Sequence, residues 1–231
     1  MSSDADLRAL VSLGSRVLAA NGHSDFIWGH LAIRDPRGRG VWMKRSAIGF
    51  EEVGETDVLL VGYDGQLLDG DGRRHAEWPI HTEIMRSRPD VGAVVHSHAP
   101  HCIAIGASAQ PLRPVSHAGA LFVPPDVPRF TATSDLIVTP AMGRELAQSL
   151  GDSPAALMVN HGVVVVGDDA PGAVVRAVLL EKACQHQVVT AAAGGIRLWT
   201  GDEAALAKRP TTWSAGHLQQ LWAYLVRALD P

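Results

Sequence analysis

The sequence predicts an α/β protein in which one mixed sheet carries helices on both faces. Three observations lead to this prediction. The first third of the chain reads as two antiparallel hairpins, the rest alternates apolar runs of strand length with amphipathic helices, and no linker-like stretch separates the parts. Of the 231 residues 46% are hydrophobic and 19% charged, as in a well-buried globular core. We therefore predict a single domain over residues 1–231.

The first elements are a helix and the two hairpins. Ser3 or Asp4 caps a helix over about residues 5–20, which shows the apolar stripe of a surface helix and ends at Gly22. The segments HLAIRD and RGVWMK read as strands joined by the turn DPRG, and TDVLLVGYDGQLLDG reads as a second strand pair. Such hairpins make the early sheet antiparallel.

The middle of the chain is predicted to contain two helices on either side of a buried strand. Pro79–Ser87 reads as a short helix with proline in its first turn, and VGAVVHSH follows as a strand rich in β-branched residues. A further helix begins at Pro100 and ends at Ser108. The stretch from Leu112 to Thr133 is rich in proline with weak periodicity, and is predicted to be loop with a strand or two.

The last third is predicted to be mainly helical. Thr139–Leu150 is a capped helix, and the apolar strand Ala156–Val166, interrupted by an Asn-His-Gly motif, carries a histidine. A long helix over Ala170–Ala193 follows. A polar link at Lys208–Thr212 then leads to a final amphipathic helix over about Ser214–Leu229.

Composition excludes several classes of function. The formal net charge of -4 and a pI of about 6.2 give no reason to expect a nucleic acid or a membrane surface as partner. The two cysteines, Cys102 and Cys184, form no disulfide framework. No apolar run approaches the roughly 20 residues that span a bilayer, and the chain start lacks the pattern of a secretory signal. We expect a soluble cytoplasmic protein.

Three histidines and a glutamate form a candidate metal site. On a strand, side chains two residues apart share a face, so His96 and His98 project together from the end of VGAVVHSH. A His-x-His pair alone is more often two ordinary polar residues. His161, at the end of another apolar strand, and the carboxylate of Glu77 complete the ligand set of a catalytic metal centre with an exchangeable position.

The string EWPIHTEIMRSRPDVGAVVHSHAPHC, the NHG motif and the early GHLAIRD together resemble the class II aldolase/adducin family. The resemblance implies a three-layer α/β/α sandwich around a largely antiparallel sheet. It implies one divalent metal per subunit (zinc or manganese, with iron as a third possibility), held by His96, His98 and His161. Glu77 matches the glutamate that ligates the empty metal or moves protons. It also implies a homotetramer with sites near subunit contacts.

The same resemblance predicts that the phosphate subsite of the family's sugar-phosphate aldolases is lost or remade. In those aldolases an asparagine, a threonine-glycine pair and paired serines bind phosphate. This chain has His30, Ser46-Ala47 and His75-Ala76 at the corresponding positions. We interpret these three departures as recognition of a different substrate anion.

A carboxylate fits the replacement residues. His30, with Lys44 and Arg45 in the adjacent loop, suits a carboxylate through charge-assisted hydrogen bonds. The alternative is that Lys44 and Arg45 are solvated loop charges. Our candidate substrate-binding residues are Arg45, Ser46 and His75, and the expected partner is a small-molecule carboxylate.

The GHLAIRDP string is more similar to the family's decarboxylases of hydroxylated aromatic dicarboxylates than to its sugar aldolases. The sequence therefore predicts a carbon–carbon lyase that decarboxylates a hydroxylated aromatic (di)carboxylate through a metal-stabilised enolate. Glu77 is the first candidate for the proton donor, with His30 or His117 behind it, although a lone loop histidine such as His117 is more often structural. His81, one helical turn after Glu77, is interpreted as a packed core residue.

Three alternatives remain open. The first is an aldolase that cleaves a non-phosphorylated hydroxy-carbonyl substrate, and the second is an iron-dependent oxygenase on the same fold. The third is a non-enzymatic interaction module of the adducin type. The presence of all four candidate ligands argues against the third, because a module without chemistry has no need of them.

Overall fold

The computed structural model describes residues 2–229, so Met1, Asp230 and Pro231 of the predicted domain lie outside the described residues. Within residues 2–229 the structure has eight α-helices and eight β-strands. The helices are α1 (Asp4–Leu18), α2 (Trp78–Ser87), α3 (Pro100–Ala107), α4 (Gly119–Phe122), α5 (Pro140–Leu150), α6 (Ala170–Ala192), α7 (Asp202–Thr212) and α8 (Ala215–Arg227). The strands are β1 (His30–Arg34), β2 (Gly40–Lys44), β3 (Val58–Gly62), β4 (Leu67–Asp69), β5 (Ala93–Ser97), β6 (Arg129–Phe130), β7 (Ala155–Met158) and β8 (Gly162–Gly167).

All eight strands form one sheet in the order β4-β3-β2-β1-β5-β8-β7-β6. Every neighbouring pair is antiparallel except β6 and β7, which run parallel. The predicted α/β class with a largely antiparallel central sheet is therefore confirmed. In the β1–β5 ladder His30 lies directly opposite His96, which brings the two histidines together on one face of the sheet.

Alternate residues of the central strands pack into two separate cores, one on each face of the sheet. On β5, Val95 belongs to the core under α1, α3, α6 and α8, whereas Val94 belongs to the core under α2 and α5. This arrangement gives three layers, helix on sheet on helix. By the same alternation His96 faces the layer of α2, the helix that Glu77 precedes.

Most helix ends lie where the sequence predicts them, because the capping residues form the expected hydrogen bonds. Ser3 accepts from the Asp6 amide in a capping box, and Thr139 accepts from the Met142 amide at the start of α5. Asp169 and Ser214 cap the two long C-terminal helices in the same way. No helix among residues 2–229 is both long enough and apolar enough to cross a membrane.

Three details differ from the prediction. The segment around His161 is a hairpin of β7 and β8 and not one continuous strand, because Asn160 adopts a positive φ of 58° and reverses the chain. Residues 208–212, predicted to be a polar link, form the end of α7, where the Arg209 side chain donates to the carbonyls of Ala120 and Pro124. The predicted loop over residues 112–133 contains the expected short strand β6, but also the one-turn helix α4.

Candidate metal centre

Three histidines converge at the end of β5. His96 lies near the end of the strand, His98 follows it, and His161 lies in the β7–β8 turn. Each ring offers one nitrogen, and these nitrogens all lie within 4.8 Å of one another. The ring centroids are 5.0 to 5.4 Å apart. The structure thus brings together the three histidines for which the sequence predicts metal binding.

The Asn-His-Gly motif shapes the turn that places His161. Asn160 takes up the left-handed conformation, which asparagine tolerates better than most residues, and the His161 amide donates to the Met158 carbonyl. Glycine is required at position 162, because a Cβ there would lie 2.5 Å from the Ser97 carbonyl oxygen and 2.9 Å from the His98 ring. The close approach of the two chain segments therefore depends on a residue without a side chain.

The Nε2 atoms of all three histidines are buried and, among the described residues, have no hydrogen-bond partner. The Nδ1 atoms of two of them do have partners: His96 Nδ1 lies 3.1 Å from the Val163 carbonyl oxygen and His98 Nδ1 lies 2.8 Å from Asp25 Oδ2. Because each Nδ1–H donates, the proton resides there and the lone pair on Nε2 faces the cluster. His161 Nδ1 is also buried without a partner among these residues, so no hydrogen bond fixes the proton of that ring. Two lone pairs and the unpartnered His161 ring, with ligand atoms within 4.8 Å of one another, fit a shared cation.

The electrostatics of the cluster favour neutral rings. Burial lowers the pKa of His96 well below its usual range, and neighbouring His161 lowers it further. Burial also lowers the pKa of His161 to about 4, with an added contribution from His98. Metal ligation requires an unprotonated imidazole nitrogen. Near neutral pH these two rings are neutral, so they can bind a cation without first releasing a proton.

Glu77 lies beside this cluster. Its Oε1 accepts a hydrogen bond of 2.8 Å from the Ile137 amide and lies 3.6 Å from His161 Nε2, while its Oε2 lies 3.7 Å from His96 Nε2. The residue is only 7% exposed, and burial raises the pKa of its carboxyl although the Ile137 amide opposes this. A buried carboxyl with a raised pKa is suited to carrying a proton.

A second group of histidines lies on the other side of Glu77. His30 is 1% exposed, and its Nε2 lies 4.0 Å from Glu77 Oε2. Its Nδ1 lies 2.6 Å from His81 Nε2, and its ring centroid lies 4.4 Å from that of His75. His81 is fully buried, as predicted for a core residue, but it also forms this hydrogen bond, which the sequence did not reveal.

Lys44 contacts the second group of histidines through His75. Its Nζ donates to the carbonyls of Ile27 and Ile48 and lies 3.1 Å from His75 Nε2. The side chain is buried, and burial lowers its pKa to about 8. Lys44 is therefore not a solvated loop charge.

Within residues 2–229 the structure does not bring the remaining predicted residues into contact with the three histidines. Arg45 forms an ion pair of 2.7 Å with Asp57. Ser46 lines a cleft of about 590 Å³ together with Arg73 and Arg74. His117 is exposed, and none of the hydrogen bonds, ion pairs or ring contacts of residues 2–229 joins it to the three-histidine cluster.

Two residues of the site were missed by sequence reasoning. Asp25 orients His98, but the two are separated by 73 positions and no local pattern connects them. Arg73 lies two residues before His75 and lines the cleft with Ser46. Its closeness in sequence to the predicted substrate residue His75 was the signal that could have identified it.

The chain is similar in sequence to known proteins. Residues 9–188 match the sequence profile of the family described as Class II Aldolase and Adducin N-terminal domain. The chain is 31% identical over 199 residues to 3,4-dihydroxyphthalate decarboxylase of Rhodococcus jostii (strain RHA1), covering 81% of this chain and 82% of the relative.

Two further comparisons are with a relative that carries another activity and with a solved structure. The chain is 33% identical over 174 residues to 4-hydroxy-3-prenylphenylpyruvate oxygenase/4-hydroxy-3-prenylbenzoate synthase of Streptomyces roseochromogenus subsp. oscitans, covering 74% of this chain and 62% of that protein. The solved structure of L-fuculose 1-phosphate aldolase from Glaciozyma antarctica PI12 superimposes with a TM-score of 0.86 at 24% identity, covering 100% of this chain and 92% of that chain. At that identity the likeness establishes the fold alone.

Proposed function

Because the chain belongs to the class II aldolase and adducin family, we propose that it is a metal-dependent decarboxylase of a hydroxylated aromatic dicarboxylate. The family membership and the decarboxylase relatives support the general class, a metal-dependent lyase. The identity to 3,4-dihydroxyphthalate decarboxylase supports the narrower substrate class. Zinc or manganese is the proposed metal, with ferrous iron as the third candidate, since imidazole ligands suit all three.

The observation that carries the proposal is the set of three buried Nε2 atoms that have no hydrogen-bond partner among residues 2–229 and lie beside a buried carboxylate. His96, His98 and His161 would hold the cation, and Glu77 lies within 3.7 Å of two of them. When bound, a divalent cation at this place stabilises the negative charge that develops as the carbon–carbon bond breaks. An aldolase and a decarboxylase both need this charge stabilisation, so the metal site alone does not distinguish the two activities. They differ in the substrate that the protein converts.

In the proposed reaction the substrate carries a hydroxyl group ortho to the carboxylate that leaves. The bond between ring carbon and carboxylate breaks, carbon dioxide departs, and the electron pair stays with the ring. Glu77 delivers a proton to that carbon, since its raised pKa favours the protonated form. The net change is the replacement of one carboxylate by hydrogen. His30 lies beside Glu77 and faces the same space, and we retain His117 as a candidate to be tested by substitution.

A second carboxylate of the substrate requires cationic partners. We propose Arg45, Ser46 and His75 as substrate-binding residues, with Arg73 added because it lines the same cleft as Ser46. The ion pair with Asp57 holds Arg45 in place and leaves part of its guanidinium for a further partner, since the side chain is 36% exposed. An arginine fork is well suited to a planar carboxylate.

The proposal is tested by carbon dioxide release from hydroxylated benzene dicarboxylates carrying ¹³C in the carboxyl group. Purified protein is loaded separately with zinc, manganese or ferrous iron, and product is identified by mass spectrometry. Release of labelled carbon dioxide with loss of one carboxylate supports the proposal. Cleavage of hydroxy-aldehydes without carbon dioxide release would instead establish an aldolase.

A second candidate function is an iron-dependent oxygenase, favoured by the 33% identity to the prenylated phenylpyruvate oxygenase. It predicts dioxygen consumption that requires ferrous iron, whereas the decarboxylation consumes no dioxygen.

We also propose a homotetramer. Exposed apolar side chains such as Phe26 and Leu198, 78% and 88% exposed, support association, and light scattering measures the subunit number.

A further inference from the structure

The contact between His30 and His81 joins two buried imidazole rings. His30 Nδ1 and His81 Nε2 are 2.6 Å apart, and the two residues are 1% and 0% exposed. His81 lies on α2, and His30 lies on β1 opposite His96. A hydrogen bond between two neutral rings requires one donor and one acceptor, so this contact couples the proton position of one ring to that of the other.

Two arrangements satisfy the contact. If His30 Nδ1–H donates, then His81 must accept at Nε2 and carry its own proton on Nδ1. If His81 Nε2–H donates, then His81 Nδ1 carries no proton, and His30 carries its proton on Nε2. Burial lowers the pKa of His81 to about 3, so the doubly protonated ring does not enter the choice near neutral pH.

The surroundings of His81 decide between these arrangements. Its Nδ1 is buried and has no hydrogen-bond partner among residues 2–229. The first arrangement would therefore bury an N–H group without an acceptor, which folded proteins rarely do, whereas an acceptor that lacks a donor is better tolerated. The second arrangement leaves an unprotonated nitrogen there and places the remaining N–H on His30 Nε2, which lies 4.0 Å from the Glu77 carboxylate, on an acceptor side that His81 Nδ1 lacks.

We propose that His81 is a positioning residue that holds His30 in the Nε2–H form, so that His30 presents a neutral N–H donor to a carboxylate oxygen of the substrate. This inference rests on the proposed function and deepens it. The Nε2 atom lies 4.0 Å from Glu77 Oε2, too far for a hydrogen bond, so its N–H remains free for a third group.

The proposal separates the roles of two candidate catalytic groups. In the Nε2–H form His30 has no lone pair directed at the substrate, so it binds the substrate but does not remove a proton from it. Glu77 is then the group that moves the proton. A donor fixed by His81 also needs no reorientation when the substrate arrives, which lowers the entropy lost on binding.

The direct test is ¹⁵N NMR of the zinc-loaded protein with labelled histidine. His30→Asn and His81→Gln variants assign the resonances. The proposal predicts a protonated Nε2 on both rings, an unprotonated Nδ1 on both rings, and a coupling through the hydrogen bond between His81 Nε2 and His30 Nδ1. A proton on His30 Nδ1 would overturn it. This measurement needs no turnover, so it stays decisive even if the protein has no decarboxylase activity.

The kinetic test uses His81→Leu and His81→Gln. The leucine variant removes the donor, and we expect the KM for the dicarboxylate to rise about tenfold while kcat changes less than threefold. The glutamine variant keeps an amide donor and should retain KM within about threefold of the wild-type value. Ile84→Val, equally buried on α2, controls for lost packing and should leave KM unchanged. A leucine variant that is folded and has the wild-type KM would refute the positioning role.

Discussion

Replacing Glu77 by glutamine removes the proposed proton donor while leaving the site almost unchanged in shape. The Gln amide oxygen can still accept from the Ile137 amide, which Glu77 Oε1 does at 2.8 Å, so we expect Tm to change by less than about 3 °C. A positioned general acid contributes roughly 10²- to 10⁴-fold. We therefore expect kcat to fall about 10²- to 10³-fold, equivalent to about 3–4 kcal/mol of activation free energy.

The assay is initial-rate carbon dioxide release, with zinc content measured on the same samples. The three histidines remain, so bound zinc should stay near one per chain in the variant. Glu83→Gln is the matched control, because Glu83 is a 3% exposed carboxylate on the helix that Glu77 precedes, and its oxygens lie 3.5 Å from Arg86 and Arg144. Wild-type kcat in Glu77→Gln, or an equal loss in Glu83→Gln, would refute the role of Glu77.

Three further predictions test neighbouring parts of the account. Asp25→Asn should weaken zinc binding about tenfold in chelator competition, because Asp25 orients His98, and unchanged affinity would contradict this. Arg45→Ala and Arg73→Ala should each raise KM for the dicarboxylate several-fold with little change in Tm, and an unchanged KM removes that arginine from the binding site. Burial lowers the pKa of Lys44 to about 8, whereas an unfolded lysine titrates at about 10.4. The unfolded chain therefore binds more protons between these values, and the free energy of unfolding should rise by up to about 3 kcal/mol as pH increases through them. Lys44→Met should lack this rise, and the same pH dependence in both proteins would contradict the assignment.

The parts of the site that follow from local periodicity could be predicted from the sequence. A strand repeats every two residues, so the spacing of His96 and His98 was sufficient to place both on one face. Capping residues such as Thr139 set helix ends for the same reason, since they act within one turn. Grouping His161 with this pair also drew on the resemblance to the class II aldolase/adducin family, because local periodicity does not connect two segments so far apart in the chain.

Contacts between distant segments could not be predicted in this way. His30 and His81 are 51 positions apart and meet because β1 lies beside β5 and α2 packs across that face. The reversal at Asn160 was missed because the apolar residues on either side of the motif read as one strand. The helical end of α7 was missed because Pro210 normally disfavours a helix, whereas the tertiary contacts of Arg209 hold this one in place.

The central claim is that His96, His98 and His161 bind one cation through their Nε2 atoms. The zinc-edge X-ray absorption spectrum of protein loaded with one zinc per chain tests it directly. We predict three imidazole nitrogens at about 2.0–2.1 Å from zinc, reduced to two in His161→Ala. A spectrum without imidazole scattering, or one identical in the wild-type protein and His161→Ala, would contradict the account.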